Sequence, residues 1–186
     1  MIDREEIIHL TEEYGGSWGL EHTRRLLHLT SIIGEGRQYD ADAVWLAAYL
    51  HDWGGYRPWA QKQVDHALRS KQVAEPFLVE RGVADDLIVL VLECIEHHHS
   101  GDPGRSLESS LLSDADAVDF LGVVGVLRDF SKNPRDLRKG YEATRRRREA
   151  LPSMLCLERS KEIAAKRLRQ MDELLAAFEV DTFGCF

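Results

Sequence analysis

Cysteine, proline and aromatic residues are all scarce in this chain: three Cys, five Pro and 8% aromatics among 186 residues. Cys94, Cys156 and Cys185 are widely spaced, odd in number and form no CxxC pattern. That argues against a disulfide framework and against a zinc ribbon, and it fits a reducing, cytoplasmic setting. No apolar run reaches the length of a membrane span. The acidic opening Met1-Ile2-Asp3-Arg4-Glu5-Glu6 lacks the apolar core of a signal peptide. Positive charge is short too: 24 Lys and Arg stand against 32 Asp and Glu, a formal net charge of -8. The deficit speaks against a broad nucleic-acid or anionic-membrane surface, but it permits a local basic site for a small phosphate. The one basic run, Arg145 to Arg148, lies beside Glu142 and Glu149 and reads as a solvated helix face.

What the chain does have is helical periodicity. Apolar residues recur at helical spacing through most segments, and strand-like alternation is rare. The length suits one domain with a substantial core. The expectation is an all-α fold, a single compact helical bundle over residues 1–186. Helices are expected at about 3–14, 20–34, 40–52, 58–81, 84–99, 106–130, 134–149 and 155–179. Glycine or proline marks most joints. Asp40 and Ser106 are suited to cap the third and sixth helices. The apolar stripe of the last helix, including Ile163, Leu168, Met171 and Leu175, suits either intramolecular packing or a homodimer contact.

Several polar residues interrupt these apolar faces. His51-Asp52 ends the greasy stretch Leu46-Ala47-Ala48-Tyr49-Leu50, just before Trp53-Gly54-Gly55. Neither side chain belongs in a core without a partner or a metal. His22 shares a stripe with Leu26, Leu29 and Ile33. His98 follows Val91, Cys94 and Ile95. Asp116 lies with Leu112, Phe120 and Val123, and Asp114 lies with Leu111, Val118 and Leu121. A lone buried His is usually a satisfied core residue. Several His and Asp pointing inward in one small helical protein suit a metal site in a bundle core.

In order along the chain, His22, His51-Asp52 and the Asp of Ser113-Asp114-Ala115-Asp116-Ala117-Val118-Asp119 resemble the H…HD…D signature of the HD-domain phosphohydrolase superfamily. His22-Thr23-Arg24-Arg25-Leu26 resembles that family's first motif. His66-Ala67-Leu68-Arg69-Ser70-Lys71-Gln72-Val73-Ala74 resembles the helix after the HD pair, and Ile95-Glu96-His97-His98 a further histidine motif. Leu107-Glu108, Asp114-Ala115-Asp116, Gly122 to Arg128 and the segment from Lys161 to Met171 look like a bacterial branch that includes nucleotide pyrophosphohydrolases. The likeness covers most of the chain, with a motif core of about 18–130 and C-terminal helices over about 134–179 packed on it. One departure is the loop after the HD pair, where Trp53 replaces the usual small aliphatic residue and no Lys directly follows the glycine.

The resemblance implies metal ligation by His22, His51, Asp52 and Asp116, with Asp114 as the alternative last ligand. Two imidazoles and two carboxylates suit Mn²⁺, Fe²⁺, Co²⁺, Ni²⁺ or Zn²⁺, with Mg²⁺ also considered. A metal-activated water would cleave a phosphoester or phosphoanhydride, with a nucleotide as the favoured substrate class. Asp52 belongs to this machinery, and Asp65, His66 and Glu96 are the candidates for orienting the water. His66 and His98 suit a second ion, a substrate phosphate or packing, whereas His97 and His99 read as spectators on other helix faces. Arg25, Arg57 and Lys62 are the candidate phosphate cations, with Lys71 and Arg128 in reserve. Trp53, Tyr56 and Trp59 suit either base stacking or stapling of their loop to the core. The alternative function is a non-catalytic metal- or nucleotide-binding regulatory HD module.

Overall fold

The computed structural model describes residues 2–57, 59–101 and 104–186. Among the described residues are eight α-helices and no strand: α1 (Arg4–Ile33), α2 (Ala41–Leu50), α3 (His66–Glu80), α4 (Asp85–Glu96), α5 (Leu107–Asp119), α6 (Gly122–Lys132), α7 (Leu137–Ala150) and α8 (Glu158–Asp181). Short 3-10 turns occupy Trp53–Gly55 and Leu151–Met154. The fold is therefore all-α, as the periodicity implies. The chain groups into two compact units, Met1–Ala115 and Asp116–Phe186. None of the described helices is long and apolar enough to cross a membrane.

In the first unit α2 is the central helix. Ala43, Val44 and every residue from Leu46 to Leu50 are buried. A helix apolar on all sides needs cover on all sides. α1 and α4 pack on α2, while α3 packs on α4 and on the Trp53–Gly55 turn. Asp40 caps α2, its carboxylate accepting from the Asp42 and Ala43 amides. Ser106 Oγ accepts from the Ser109 amide at the start of α5. Both caps agree with the sequence reading.

Three helix boundaries differ from expectation. The first two expected helices form one element, kinked at Gly16 (φ 63°, ψ -169°). The expected helix over 106–130 is two, because the chain leaves helical geometry after Asp119 and restarts at Gly122. Gly122 has φ +80°, in the left-handed region where glycine alone is unstrained. The helix expected over 58–81 begins only at His66, and residue 58 itself lies outside the described residues. The segment before His66 is held by tertiary contacts instead. Arg69 Nε donates to the Trp59 carbonyl at 2.8 Å, and the Trp59 ring meets Tyr14 edge-on.

In the second unit α6 packs on α7 and α8. Its polar residues are tied into ion pairs. Arg128 Nη1 donates to Asp119 Oδ2 at 2.8 Å, with side chains 9% and 0% exposed, and the guanidinium stacks over Phe120. Arg128 thus serves as a structural counter-ion in this unit. The basic run on α7 divides by face. Arg145 and Arg146 pair with Glu149 and Glu142 at the surface, as a solvated face should. Arg147 instead reaches the buried Asp129, and Arg148 forks onto Asp172 of α8.

Candidate metal centre

His22, His51 and Asp52 come together although 28 residues lie between the first two in sequence. Each offers one ligand atom, and these atoms lie within 4.8 Å of one another. His22 stands on the inner face of α1 and His51 caps the C-terminal end of α2. Asp52 follows at once, at the entrance to the Trp53–Gly55 turn. Asp52 Oδ2 lies 3.4 Å from His51 Nε2 and 3.9 Å from His22 Nε2. Both imidazoles are 1% exposed, whereas the carboxylate is 26% exposed. The site is therefore walled by histidine and open at its carboxylate.

The turn after Asp52 is pinned against α3. The Gly54 amide donates to Ser70 Oγ at 2.9 Å. A Cβ at Gly54 would sit 2.2 Å from the Ser70 amide nitrogen, so only glycine permits this approach. Trp53 is 1% exposed and packs between Tyr14 and Phe77. Its indole donates to Thr11 Oγ1. Trp53 therefore staples the loop to the core, and its buried ring is not a stacking surface for a base.

The hydrogen bonding fixes which nitrogen faces the site. His51 Nδ1 is 2.8 Å from the Ala48 carbonyl oxygen. A carbonyl only accepts, so Nδ1 carries the proton. In the neutral imidazole Nε2 then presents a lone pair toward Asp52 Oδ2, itself an acceptor. Two acceptors at that separation call for a cation between or beside them, either a proton or a metal. Backbone carbonyls orient metal-ligating imidazoles in this way. The donor set of two imidazoles and a carboxylate without thiolate fits a divalent transition ion. Burial works to raise the Asp52 carboxyl, but the charge and hydrogen bonding of His51, with charge on His22 and His98, hold it well below the ordinary carboxylate range. Those imidazole charges belong to protonated rings; a metal ion would take the place of the proton at Nε2 and leave the rings neutral, the form in which they ligate.

A second histidine cluster adjoins the first. His66, His98 and His99 also present ligand atoms within 4.8 Å of one another. His66 is the first residue of α3, while His98 and His99 follow the end of α4. His98 Nδ1 donates to the Ile95 carbonyl at 2.6 Å, so its Nε2 faces inward, 3.3 Å from His66 Nε2. His99 Nε2 contacts the same His66 nitrogen. His66 Nε2 lies 3.6 Å from Asp52 Oδ1. The two oxygens of Asp52 thus face different clusters, Oδ2 toward His22 and His51 and Oδ1 toward His66. His99, a spectator by helical phase, enters this cluster because α4 has ended before it. Helical spacing does not apply beyond the last turn.

The other expected residues fall in varied places. Asp65 caps α3. Burial raises its carboxyl, but bonds from the Leu68 and Ala67 amides outweigh that and hold it below its usual value. Glu96 forms an ion pair with Lys71 at 2.6 Å. Arg57 and Lys62 are exposed on the segment between the turn and α3, and Arg25 is half-buried on α1. Asp114 and Asp116 are both buried on α5, at 0% and 4% exposure. The division between the two units falls between them. Tyr56, weighed only as a loop aromatic, places its hydroxyl 3.4 Å from Asp52 Oδ2.

The fold is an all-α bundle that brings two histidines and a carboxylate together, a donor set that could hold a metal ion. The HD-domain family matches residues 19–121, more than half of the chain and all of the first cluster. The chain belongs to the HD-domain family. No curated protein matches it in sequence. Bacillus subtilis YpgQ, solved in complex with ADP, is similar in structure at a TM-score of 0.74 and 22% identity, covering 95% of this chain and 93% of that one. A predicted HD superfamily hydrolase from an uncultured Thermotogales bacterium gives 0.70 and 24%, over 96% and 92%. An HD-superfamily hydrolase of Bacillus thuringiensis gives 0.74 and 18%, over 98% and 97%. Family membership and donor geometry together support a metal-dependent phosphohydrolase as the general class.

Proposed function

We propose that this protein hydrolyses a phosphoester or phosphoanhydride bond of a nucleotide with the help of a divalent metal ion. The observation that carries the reading is the convergence of His22, His51 and Asp52 within 4.8 Å. His22 and His51 would supply neutral Nε2 ligands and Asp52 an anionic one. The motif order supplies a fourth from α5, Asp116 ahead of Asp114. A divalent ion held there supplies Lewis-acid polarisation of a phosphoryl oxygen and acidifies water near neutral pH. His66 is 38% exposed and faces Asp52, which places an imidazole where a proton can be held or moved. His66, His98 and His99 form a donor set suited to a second ion, with Asp52 between the two clusters. Arg25, Arg57 and Lys62 are the proposed phosphate cations. The nucleotide is supported by the ADP complex of YpgQ, a protein of similar fold. A reducing, cytoplasmic setting accords with three cysteines and no disulfide among the described residues.

The experiment is a panel of nucleotides and phosphoesters with Mn²⁺, Co²⁺ or Mg²⁺, read separately for phosphate and pyrophosphate. Release from at least one nucleotide, lost in His51→Ala, is the expected result. Stoichiometric metal without any release would instead favour the regulatory module. Elemental analysis of the same protein distinguishes one bound ion from two.

A further inference from the structure

Tyr56 occupies a place that its sequence context does not explain. It follows the Trp53–Gly55 turn, and its amide donates to the Trp53 carbonyl at 3.1 Å. Its hydroxyl reaches Asp52 Oδ2 at 3.4 Å, the same oxygen that faces His51 and His22. On its other side the ring lies against α1 at two glycines. A Cβ at Gly15 would come within 2.7 Å of the Tyr56 ring, at Cε2 and Cζ. A Cβ at Gly19 would come within 2.6 Å of the hydroxyl oxygen and 3.0 Å of Cζ. Gly15 and Gly19 are four residues apart, on either side of the Gly16 kink, and His22 follows Gly19 by nearly one turn. Glycine is disfavoured in helices because it gains the most freedom on unfolding. Two of them facing one ring therefore need a reason, and the ring supplies it.

We infer that Tyr56 is a positioning residue of the metal centre, its hydroxyl donating to Asp52 Oδ2 while Gly15 and Gly19 form the cradle that aims it. The inference rests on Asp52 being a metal ligand, as proposed above. A carboxylate oxygen has two lone pairs. One can accept from the tyrosine while the other remains for an ion. The hydroxyl then sets the rotation of the carboxylate, and so the direction in which it offers that lone pair. Partners of this kind typically change metal affinity by about 10–100-fold. The arrangement also links the two chain segments that carry the ligands. α1 brings His22 and the cradle, and the turn after α2 brings Asp52 and Tyr56.

The test is Tyr56→Phe, which keeps the ring and its packing and deletes only the hydroxyl. Mn²⁺ binding is measured by calorimetry on the full chain, and the visible spectrum is recorded with Co²⁺ in its place. The expected result is an Mn²⁺ dissociation constant raised by about 10-fold or more, a changed Co²⁺ spectrum, and an unaltered circular dichroism spectrum. Gly19→Ala should weaken Mn²⁺ binding in the wild-type background, where its Cβ would meet the hydroxyl oxygen at 2.6 Å, and weaken it less in the Tyr56→Phe background, where only the 3.0 Å approach to Cζ remains. Wild-type affinity and an unchanged Co²⁺ spectrum in Tyr56→Phe would overturn the inference and leave Tyr56 as packing. Failure of the wild-type protein itself to bind Mn²⁺ or Co²⁺ would overturn the metal-centre reading as well, so the two failures are separable.

Discussion

At the Asp52 carboxylate, burial favours the neutral acid while three imidazoles favour the anion, and the anion prevails. Remove it, and His22 and His51 lose the group that their Nε2 atoms face. Asp52→Ala should therefore abolish stoichiometric Mn²⁺ binding. The helices should survive, because the side chain is 26% exposed and lies outside any helix. Elemental analysis alongside far-ultraviolet circular dichroism checks both halves. One Mn²⁺ retained per chain would count against Asp52 as a ligand. Asp114 and Asp116, two positions apart on α5, point to nearly opposite sides of that helix. Separate Ala variants at the two positions would show which one metal binding needs.

The elements place these residues through close backbone approaches. The Trp53–Gly55 turn meets α3 so tightly that a methyl group at Gly54 has no room: it would sit 2.2 Å from the Ser70 nitrogen and 2.5 Å from the Arg69 carbonyl carbon. Backbone atoms cannot rotate away as a side chain can. Gly54→Ala should cost about 1–3 kcal/mol as an overpacked site, seen as a lower urea midpoint at an unchanged slope. Between α7 and α8 the link is electrostatic. The bidentate bond from Arg148 is the main reason that the Asp172 carboxyl lies below its ordinary value. A carboxyl with a depressed folded-state pKa binds fewer protons when folded. Its stabilisation is full above the unfolded pKa near 4 and fades as pH falls through the lower folded value. The side chains are 38% and 48% exposed, which limits the effect to about 1 kcal/mol or less. The stability difference between wild type and Asp172→Asn should therefore be greatest near neutral pH and shrink toward pH 3 in denaturant titrations.

For the whole molecule the ligand proposed above is a cation. The net charge of -8 and the cluster of His22, His51 and Asp52 both accord with that. An ion that binds only the folded state stabilises it by mass action, by about 2.7 kcal/mol at a concentration 100-fold above its dissociation constant. For a chain of this size that corresponds to a rise in Tm of roughly 5–10 °C. Saturating Mn²⁺ should raise the Tm of the wild type by that amount, EDTA should reverse it, and Asp52→Ala should show no rise. An equal rise in Asp52→Ala would place the responsible ion elsewhere.

By itself the sequence determined the helical class, the central apolar helix that runs up to His51-Asp52, and the caps at Asp40 and Ser106. These depend on local periodicity and on side chains within a turn of their partners, which are written in the order of residues. It also ordered the histidine and carboxylate motifs that mark the HD family. The tertiary structure alone decided the rest. Gln61, Lys62 and Ala60 are ordinary helix formers, yet their segment is a loop, because Arg69 and Tyr14 hold Trp59 in place. His99 joins His66 because α4 stops at Glu96. Tyr56 reaches Asp52 because Gly15 and Gly19, some forty residues earlier in the chain, leave room for its ring. Contacts between distant segments depend on backbone approach and ring placement, which neither helical spacing nor composition encodes.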